Sequence, residues 1–379
     1  MIGNSVKNIG YRAFYYCKAL KSVNFPNSLE SIGDWAFYGC YNLTAVNFPN
    51  GLESIGDWAF YDCQSLTSID FPNSLKSIGD FAFANCSFTS ITIPEGVESI
   101  TTGTFSMCPY LTSVTIPSSL TNIGPSSFGN TVTSLFGGCI RLTSIEVANA
   151  NPSYMSENGV LFNKEKTTLI SFPAGKTGSY TIPDGVTIIG EDAFDFECGR
   201  YNYISNEWED FFNDNFTAIV IPSSVETIEA WGIFGCNSLS HVVIKRDTPP
   251  TCASYVFDGD RVYITPFNTC ILHVPLGSKS LYQEEKPWSY FENIVEDADN
   301  FSAIENVQVS SVSIFPNPVS ENFRIGGIIK PTVVTVLDIN GKVVLQQMVS
   351  PNENISAGHL PQGVYFVNVK EKTMKIIKK

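Results

Sequence analysis

Ser31–Glu53 reads SIGDWAFYGCYNLTAVNFPNGLE and Ser54–Lys76 reads SIGDWAFYDCQSLTSIDFPNSLK; 15 of the 23 aligned positions are identical. A segment of that length has one apolar face and nothing to bury it against, so it cannot fold alone and must stack on its copies. Ile9, Ile32, Ile55 and Ile78 recur at intervals of 23, as do Phe14, Phe37, Phe60 and Phe83, and Cys17, Cys40, Cys63 and Cys86. A further copy runs Ile100–Asn122, and an eight-residue insertion moves the next Phe and Cys to Phe136 and Cys139. Weaker copies follow at Ile182–Phe194 and Phe216–Ile244.

Each copy predicts one short strand. In Leu43, Val46 and Phe48 the last two alternate with Ala45 and Asn47, so Val46 and Phe48 point inward. Pro49 ends the strand because it has no N–H for a ladder, and Asn50-Gly51 turns the chain. Asp57 is placed to N-cap a single helical turn over Trp58-Ala59-Phe60. Stacked at about 4.8 Å, these strands form a β-rich solenoid whose core is filled by the recurring Ile and Phe. Cys17, Cys40, Cys63, Cys86, Cys108, Cys139 and Cys236 share one position. Equivalent Cβ atoms one strand spacing apart are too distant for a disulfide, which predicts a ladder of buried thiols. Cys252 and Cys270 lie outside this ladder and are candidates for pairing.

The pattern I-G-x-x-A-F-x-x-C-x-x-L-x-x-V/I-x-F/I-P over residues 1–297 resembles the BspA-type leucine-rich repeat. Asn151–Pro173 (NPSYMSENGVLFNKEKTTLISFP) resembles the insertion such proteins carry, and Thr248–Glu296 their terminal unit. The resemblance implies a surface or secreted protein that adheres to a host extracellular-matrix protein, another cell-surface protein or a glycan. Residues 298–310 read as a linker. Residues 311–379 read as a small antiparallel β-sandwich with a hairpin around Asn340-Gly341. Pro316-Asn317-Pro318, the run Leu337–Lys342 with Gly341, Gly363-Val364-Tyr365 and the basic end Lys375–Lys379 closely resemble the C-terminal sorting domain of the type IX secretion system of Bacteroidota. That resemblance implies recognition by the secretion machinery, passage through the outer membrane, and attachment to the cell surface or release. Met1–Phe14 carries no basic and apolar leader. It is already repeat sequence, Ile2–Phe14 resembling Ile182–Phe194, which points to a chain that opens inside a longer array.

Charge narrows the partners. The net charge is −14, and residues 310–379 hold eight Lys and Arg against four Asp and Glu, so the rest carries −18. An acidic body does not suit nucleic acid. Aromatic residues make up 13% and charged residues 16% of the chain, not a disordered composition. No apolar run is long enough for a transmembrane segment.

No catalytic, cofactor or metal site is expected. His241, His273 and His359 sit in no ligand spacing and read as structural or surface residues; there is no C-x-x-C, G-x-S-x-G, P-loop or dinucleotide fingerprint. The Asp34, Asp57, Asp80 row reads as helix caps rather than a cation row, and Asp258-Gly259-Asp260 is too short for a calcium loop. The candidate ligand surface is aromatic. Trp35, Trp58 and Phe81 follow Arg12 at one coil position, with Tyr38 and Tyr61, after Tyr15, three residues on. Such rings at a rim make contact anchors; alternatively they seal one coil to the next. The outward strand file that includes Asn47 and Asp70 gives a flat polar face. The insertion Cys198–Asn215 is acidic and aromatic, either a functional loop or a lid. Two other functions stay open: a structural spacer on the cell surface, and a secreted hydrolase using the insertion loops, which lacks any histidine or paired-acid constellation.

Overall fold

The computed structural model describes residues 2–378 apart from 102, 125–133, 197, 203–204, 206, 212–215, 258–265, 298–312, 316–318, 320–321, 327–331, 340, 350–353 and 370–371. Contacts divide it into two compact units, one made of Met1–Lys176, Thr181–Asp214 and Ile219–Ala298, the other mainly of Asp299–Lys379 with the short segments Thr177–Tyr180 and Asn215–Ala218.

The first unit is the solenoid. Asn8–Ile9, Ser31–Ile32, Ser54–Ile55 and Ser77–Ile78 pair in parallel, with Ile9 opposite Ile32, Ile32 opposite Ile55 and Ile55 opposite Ile78. The expected strand file forms a second ladder: Ser22–Asn24 pairs with Ala45–Asn47, and Ser90–Thr92 with Ser113–Ile116 and then Ser144–Val147. A coil such as that of Ser31–Ile32 and Ala45–Asn47 thus carries two short strands, the Ser-Ile step as well as the file read from alternation, while the coil after Ser54–Ile55 forms no strand at the second position. Val46 is buried while Ala45 and Asn47 are exposed, so the alternation has the expected sense. The phenylalanines stack face to face through the core: Phe14 to Phe37 at 4.9 Å, Phe37 to Phe60 at 5.0 Å and Phe60 to Phe83 at 5.3 Å.

The segment after the Ser-Ile strand is not a helical turn. Trp35, Trp58 and Phe81 have φ of 59°, 57° and 52°, in the left-handed region. Alternate N–H groups leave the coil: Trp58, Phe60 and Asp62 donate to the carbonyls of Asp80, Ala82 and Ala84, at 2.8, 2.8 and 2.9 Å. The N–H groups of Tyr61 and Cys63 instead close i−3 turns on Trp58 and Phe60. A helical turn would keep all of these bonds within one coil; the zigzag spends half of them on the neighbour. The aspartates act across coils too. Asp34 Oδ1 accepts the N–H of Asp57 at 2.9 Å, and Asp57 Oδ1 that of Asp80 at 2.8 Å, so each carboxylate caps the next coil rather than its own.

This carboxylate needs glycine opposite it. A Cβ on Gly79 would stand 2.5 Å from the Asp57 nitrogen and 2.6 Å from the Gly56 carbonyl carbon. Backbone cannot yield as a side-chain tip can. Gly79→Ala is therefore expected to cost about 2–3 kcal/mol through forced separation of two coils. A urea titration checks it, and a cost below about 0.5 kcal/mol would contradict the close approach.

The insertion Asn151–Pro173 folds as an antiparallel ribbon, Tyr154–Glu157 against Val160–Asn163 and then Thr168–Ser171. It rejoins the parallel ladder at Ile188-Ile189. Asn151, fully buried, anchors it by donating to the Pro117 and Leu120 carbonyls, both at 2.7 Å. The later insertion forms a second ribbon, Cys198–Asn202 against Glu207–Phe211, whose side chains lie outside the described residues, so neither the lid nor the loop reading is addressed.

The second unit is an antiparallel sandwich of a sheet Ser313–Phe315, Asn322–Gly326, Ile355-Ser356 and a sheet Val343–Val349, Thr332–Leu337, Gly363–Val369, Lys372–Lys378. Phe323, Val334, Val336, Ile355, Val367 and Ile376 fill its core.

Candidate functional site

The left-handed corner of each coil directs one side chain along the rim. Trp35 stacks on Trp58 at 5.1 Å and 11°, and Trp58 on Phe81 at 4.4 Å and 23°. Beside them Tyr15, Tyr38 and Tyr61 stack at 5.3 and 5.0 Å. The Arg12 guanidinium lies over Trp35 at 5.3 Å and Tyr15 at 4.7 Å. Burial pushes the Tyr38 hydroxyl pKa well above the ordinary tyrosine value, so it stays a neutral donor.

Trp35, Trp58, Tyr38 and Tyr61 are all half-buried. Both faces of the Trp58 indole are covered, one by Trp35 and one by Phe81, so solvent meets ring edges rather than ring faces. Phe81 differs from the rim position expected of it. It is 2% exposed, because the next coil has Gly103 at the corner and the Phe81 ring lies over the vacant Cβ position. It closes the row. Asn47 and Asp70 are exposed; Asn47 ends the strand Ala45–Asn47, whereas Asp70 holds the equivalent coil position where, contrary to the expectation, no strand forms.

A second row at the same corner was not read from the sequence. Asp192, Trp231 and Tyr255 have φ of 51°, 51° and 64°, and Trp231 stacks on Tyr255 at 5.6 Å and 15°. The signal was there in DAF at 192–194, WGIF at 231–234 and YVF at 255–257, each aligned with WAF at 58–60 but diluted by insertions. Tyr255 is 43% exposed.

The sequence profile of the BspA type leucine rich repeat region matches residues 1–50, 36–147 and 202–269. The chain belongs to the BspA-type leucine-rich repeat family. A second profile, the secretion system C-terminal sorting domain, matches residues 313–379. Among solved structures the BspA-type chain is similar to a leucine-rich repeat protein from Eubacterium ventriosum, at 25% identity, 68% of this chain, 66% of that one and a TM-score of 0.48. It is also similar to a leucine rich cell surface protein from Faecalibacterium prausnitzii, at 23% identity, 79% and 86% coverage and a TM-score of 0.48. The pneumococcal vaccine antigen PcpA shares 19% identity over 77% of this chain and 85% of its own, with a TM-score of 0.44. The chain thus spans just under two thirds of the first of these. No curated protein gives a significant match. The BspA-type protein carries a type IX sorting domain and is exported to the cell surface. Among the described residues no helix is long and apolar enough to cross a membrane.

Inside the BspA-type coil the thiols form hydrogen bonds instead of disulfides. Cys40, Cys63, Cys86, Cys108 and Cys139 donate to the carbonyls of Phe14, Phe37, Phe60, Phe83 and Phe105 at 3.2–3.4 Å. Burial pushes Cys40 up to about 12. Cys252 and Cys270 are also free, each with its pKa raised by burial to about 12.

Two histidines that look isolated in sequence meet in space. His241 Nδ1 is 2.9 Å from His273 Nε2, and His273 Nδ1 is 2.5 Å from Asp297 Oδ2. Spacing motifs miss this because strand register, not sequence distance, makes the contact.

In the sorting domain, Pro316, Asn317, Pro318 and Lys379 lie outside the described residues. Gly341 has φ of 79°, in the hairpin where Asp338 Oδ1 accepts the Lys342 N–H at 3.0 Å. Gly363 begins a ladder strand, and buried Tyr365 donates its hydroxyl to the Pro361 carbonyl at 2.9 Å. Lys375 pairs with Phe366 across the ladder and is exposed.

Proposed function

We propose that this protein is a non-enzymatic binding protein displayed on the cell surface, adhering to a host extracellular-matrix protein, a partner-cell protein or a glycan. The solenoid, with its span proposed as residues 1–297, presents the surface, and the domain from residue 311 engages the secretion machinery. The observation that carries the reading is the half-exposed row Trp35, Trp58, Tyr38 and Tyr61, held in register by stacking, so little rotamer entropy is lost on contact. A protein ligand fits this row better than a glycan. A sugar ring stacks on an aromatic face, and the faces of Trp58 are taken, whereas ring edges suit the apolar side chains of a protein. Asn47 and Asp70 would supply hydrogen bonds to a ligand that wraps onto the neighbouring side of the coil.

The test is binding of the full chain to arrays of matrix proteins and glycans, with Trp35→Ala/Trp58→Ala alongside and circular dichroism as the folding control. Saturable binding to a protein, weakened tenfold or more (about 1.4 kcal/mol or above) in the folded variant, is the expected result. Undiminished binding would move the site elsewhere. No binding across the arrays would favour the spacer, for which the coil-sealing role of the rings is the supporting observation.

A further inference from the structure

The last described strands of the solenoid lie in one sheet, ordered Gly178–Thr181, Phe216–Ile221, His241–Ile244, Ile271–Pro275 and Asn293–Asp297. His241 is opposite Ile271, Val243 opposite His273, His273 opposite Val295, and Pro275 opposite Asp297. Each step from His241 to His273 to Asp297 therefore crosses one strand and moves two residues along, which keeps all three side chains on one sheet face.

The geometry assigns the protons. An ionised carboxylate only accepts, so His273 carries its proton on Nδ1 and donates to Asp297. In neutral His273 the Nε2 is then a lone pair, which takes the Nδ1–H of His241. One additional proton is tolerated: a single imidazolium donates across the contact to the lone pair of the other, neutral ring. A second proton is not. Two charged rings would point N–H at N–H across 2.9 Å, and the contact must open.

We propose that His241, His273 and Asp297 form a proton-sensitive clamp that holds the terminal strand Asn293–Asp297 on the sheet at neutral pH and releases it in acid. Phe216–Ile221 has no ionisable side chain, and Gly178–Thr181 contributes only Tyr180. Glu296 is engaged elsewhere, its Oε1 accepting the Lys279 N–H at 2.9 Å from the packed helix Lys279–Glu284, whose other titratable groups are Tyr282 and Glu284. Burial, and then the neighbouring His273, hold the His241 pKa below its ordinary 6.5. A histidine depressed in the folded state contributes stability that is present above pH 6.5 and lost as pH falls through the folded value. Release leaves the edge of Ile271–Pro275 open, so acid creates a pairing edge that neutral conditions keep covered.

The experiment is hydrogen exchange by mass spectrometry on the full chain, following the amides of residues 293–297 at pH 7.5 and pH 5.0 after correction for intrinsic rates. Protection is expected to fall about tenfold or more in acid. In His241→Phe the fall should vanish, since no second charged ring is left to face His273 across the contact. Equal protection of the wild type at both pH values, or an undiminished fall in the variant, would overturn the clamp. Nitrogen-15 spectra of the wild-type histidines decide the matter without a substitution. The clamp requires an Nδ1–H on His273 and the last proton on His241; two rings titrating independently near 6.5 would refute it.

Discussion

Phe60→Ala lowers the stability of the solenoid by about 4 kcal/mol, the upper range for emptying a buried aromatic site. Phe60 is fully buried and lies nearly parallel to Phe37 at 6° and Phe83 at 3°. Phe48 meets it edge-on at 5.7 Å. The surrounding backbone cannot collapse into the gap, because the coils on either side are pinned by the Phe60 N–H to Ala82 and the Phe37 N–H to the Ala59 carbonyl, at 2.8 and 2.7 Å. In a solenoid each coil touches only its neighbours, so the loss falls at one point and threatens to split the array into two folding blocks. Urea unfolding followed by the fluorescence of Trp35 and Trp58, which flank the site, reads the effect. Phe60→Leu should lose far less, about 1 kcal/mol. A loss below about 1 kcal/mol for the alanine would show that the phenylalanine ladder is not what joins the coils.

Asp192→Asn stabilises the protein at alkaline pH, by an amount that shrinks to nothing in acid. Asp192 is 5% exposed, and burial, followed by the charges of Asp195 and Glu191, raises its pKa to about 8. The folded state therefore binds a proton that the unfolded chain, with an aspartate near 3.9, gives up. With the folded value raised, the native state holds more protons than the unfolded one between about pH 4 and 8, and stability falls as pH rises through that window. Asparagine has no charge to desolvate. The gain should reach a few kcal/mol at pH 8 and vanish below about pH 4. Paired urea titrations of the two proteins across pH 4–8 measure the difference directly, and a gain that does not vary with pH would mean that the carboxylate is not under strain. The slope is opposite in sign to that of the histidine clamp, so the two effects separate cleanly.

Much of the solenoid was legible in the sequence because stacking repeats one environment in every coil. Ile55, Phe60 and Cys63 each face inward for the same reason as Ile32, Phe37 and Cys40, and a period of 23 displays that reason on the page. Asp57 was misread for the complementary reason. A capping motif assumes that the acceptor serves its own segment, and the bond to Asp80 exists only when two coils lie one strand spacing apart. The candidate surface was half legible. Trp35 and Trp58 could be assigned to one position, but how much of each ring meets water depends on the neighbour it stacks against. Phe81 is sealed because Gly103 happens to lack a side chain.

The sequence by itself determined that this chain is an array of coils with a phenylalanine-isoleucine core, a thiol ladder and a sorting domain at its end. Inward position, strand alternation and turn chemistry are local properties, and repetition multiplies each into an unambiguous signal. Only the tertiary structure decided that both faces of the Trp58 ring are covered by its neighbours, that Asp192 is buried beside other carboxylates, and that His241, His273 and Asp297 meet in one row of contacts. Those outcomes depend on register and on the separation between neighbouring coils, which arise from packing and are written at no single residue.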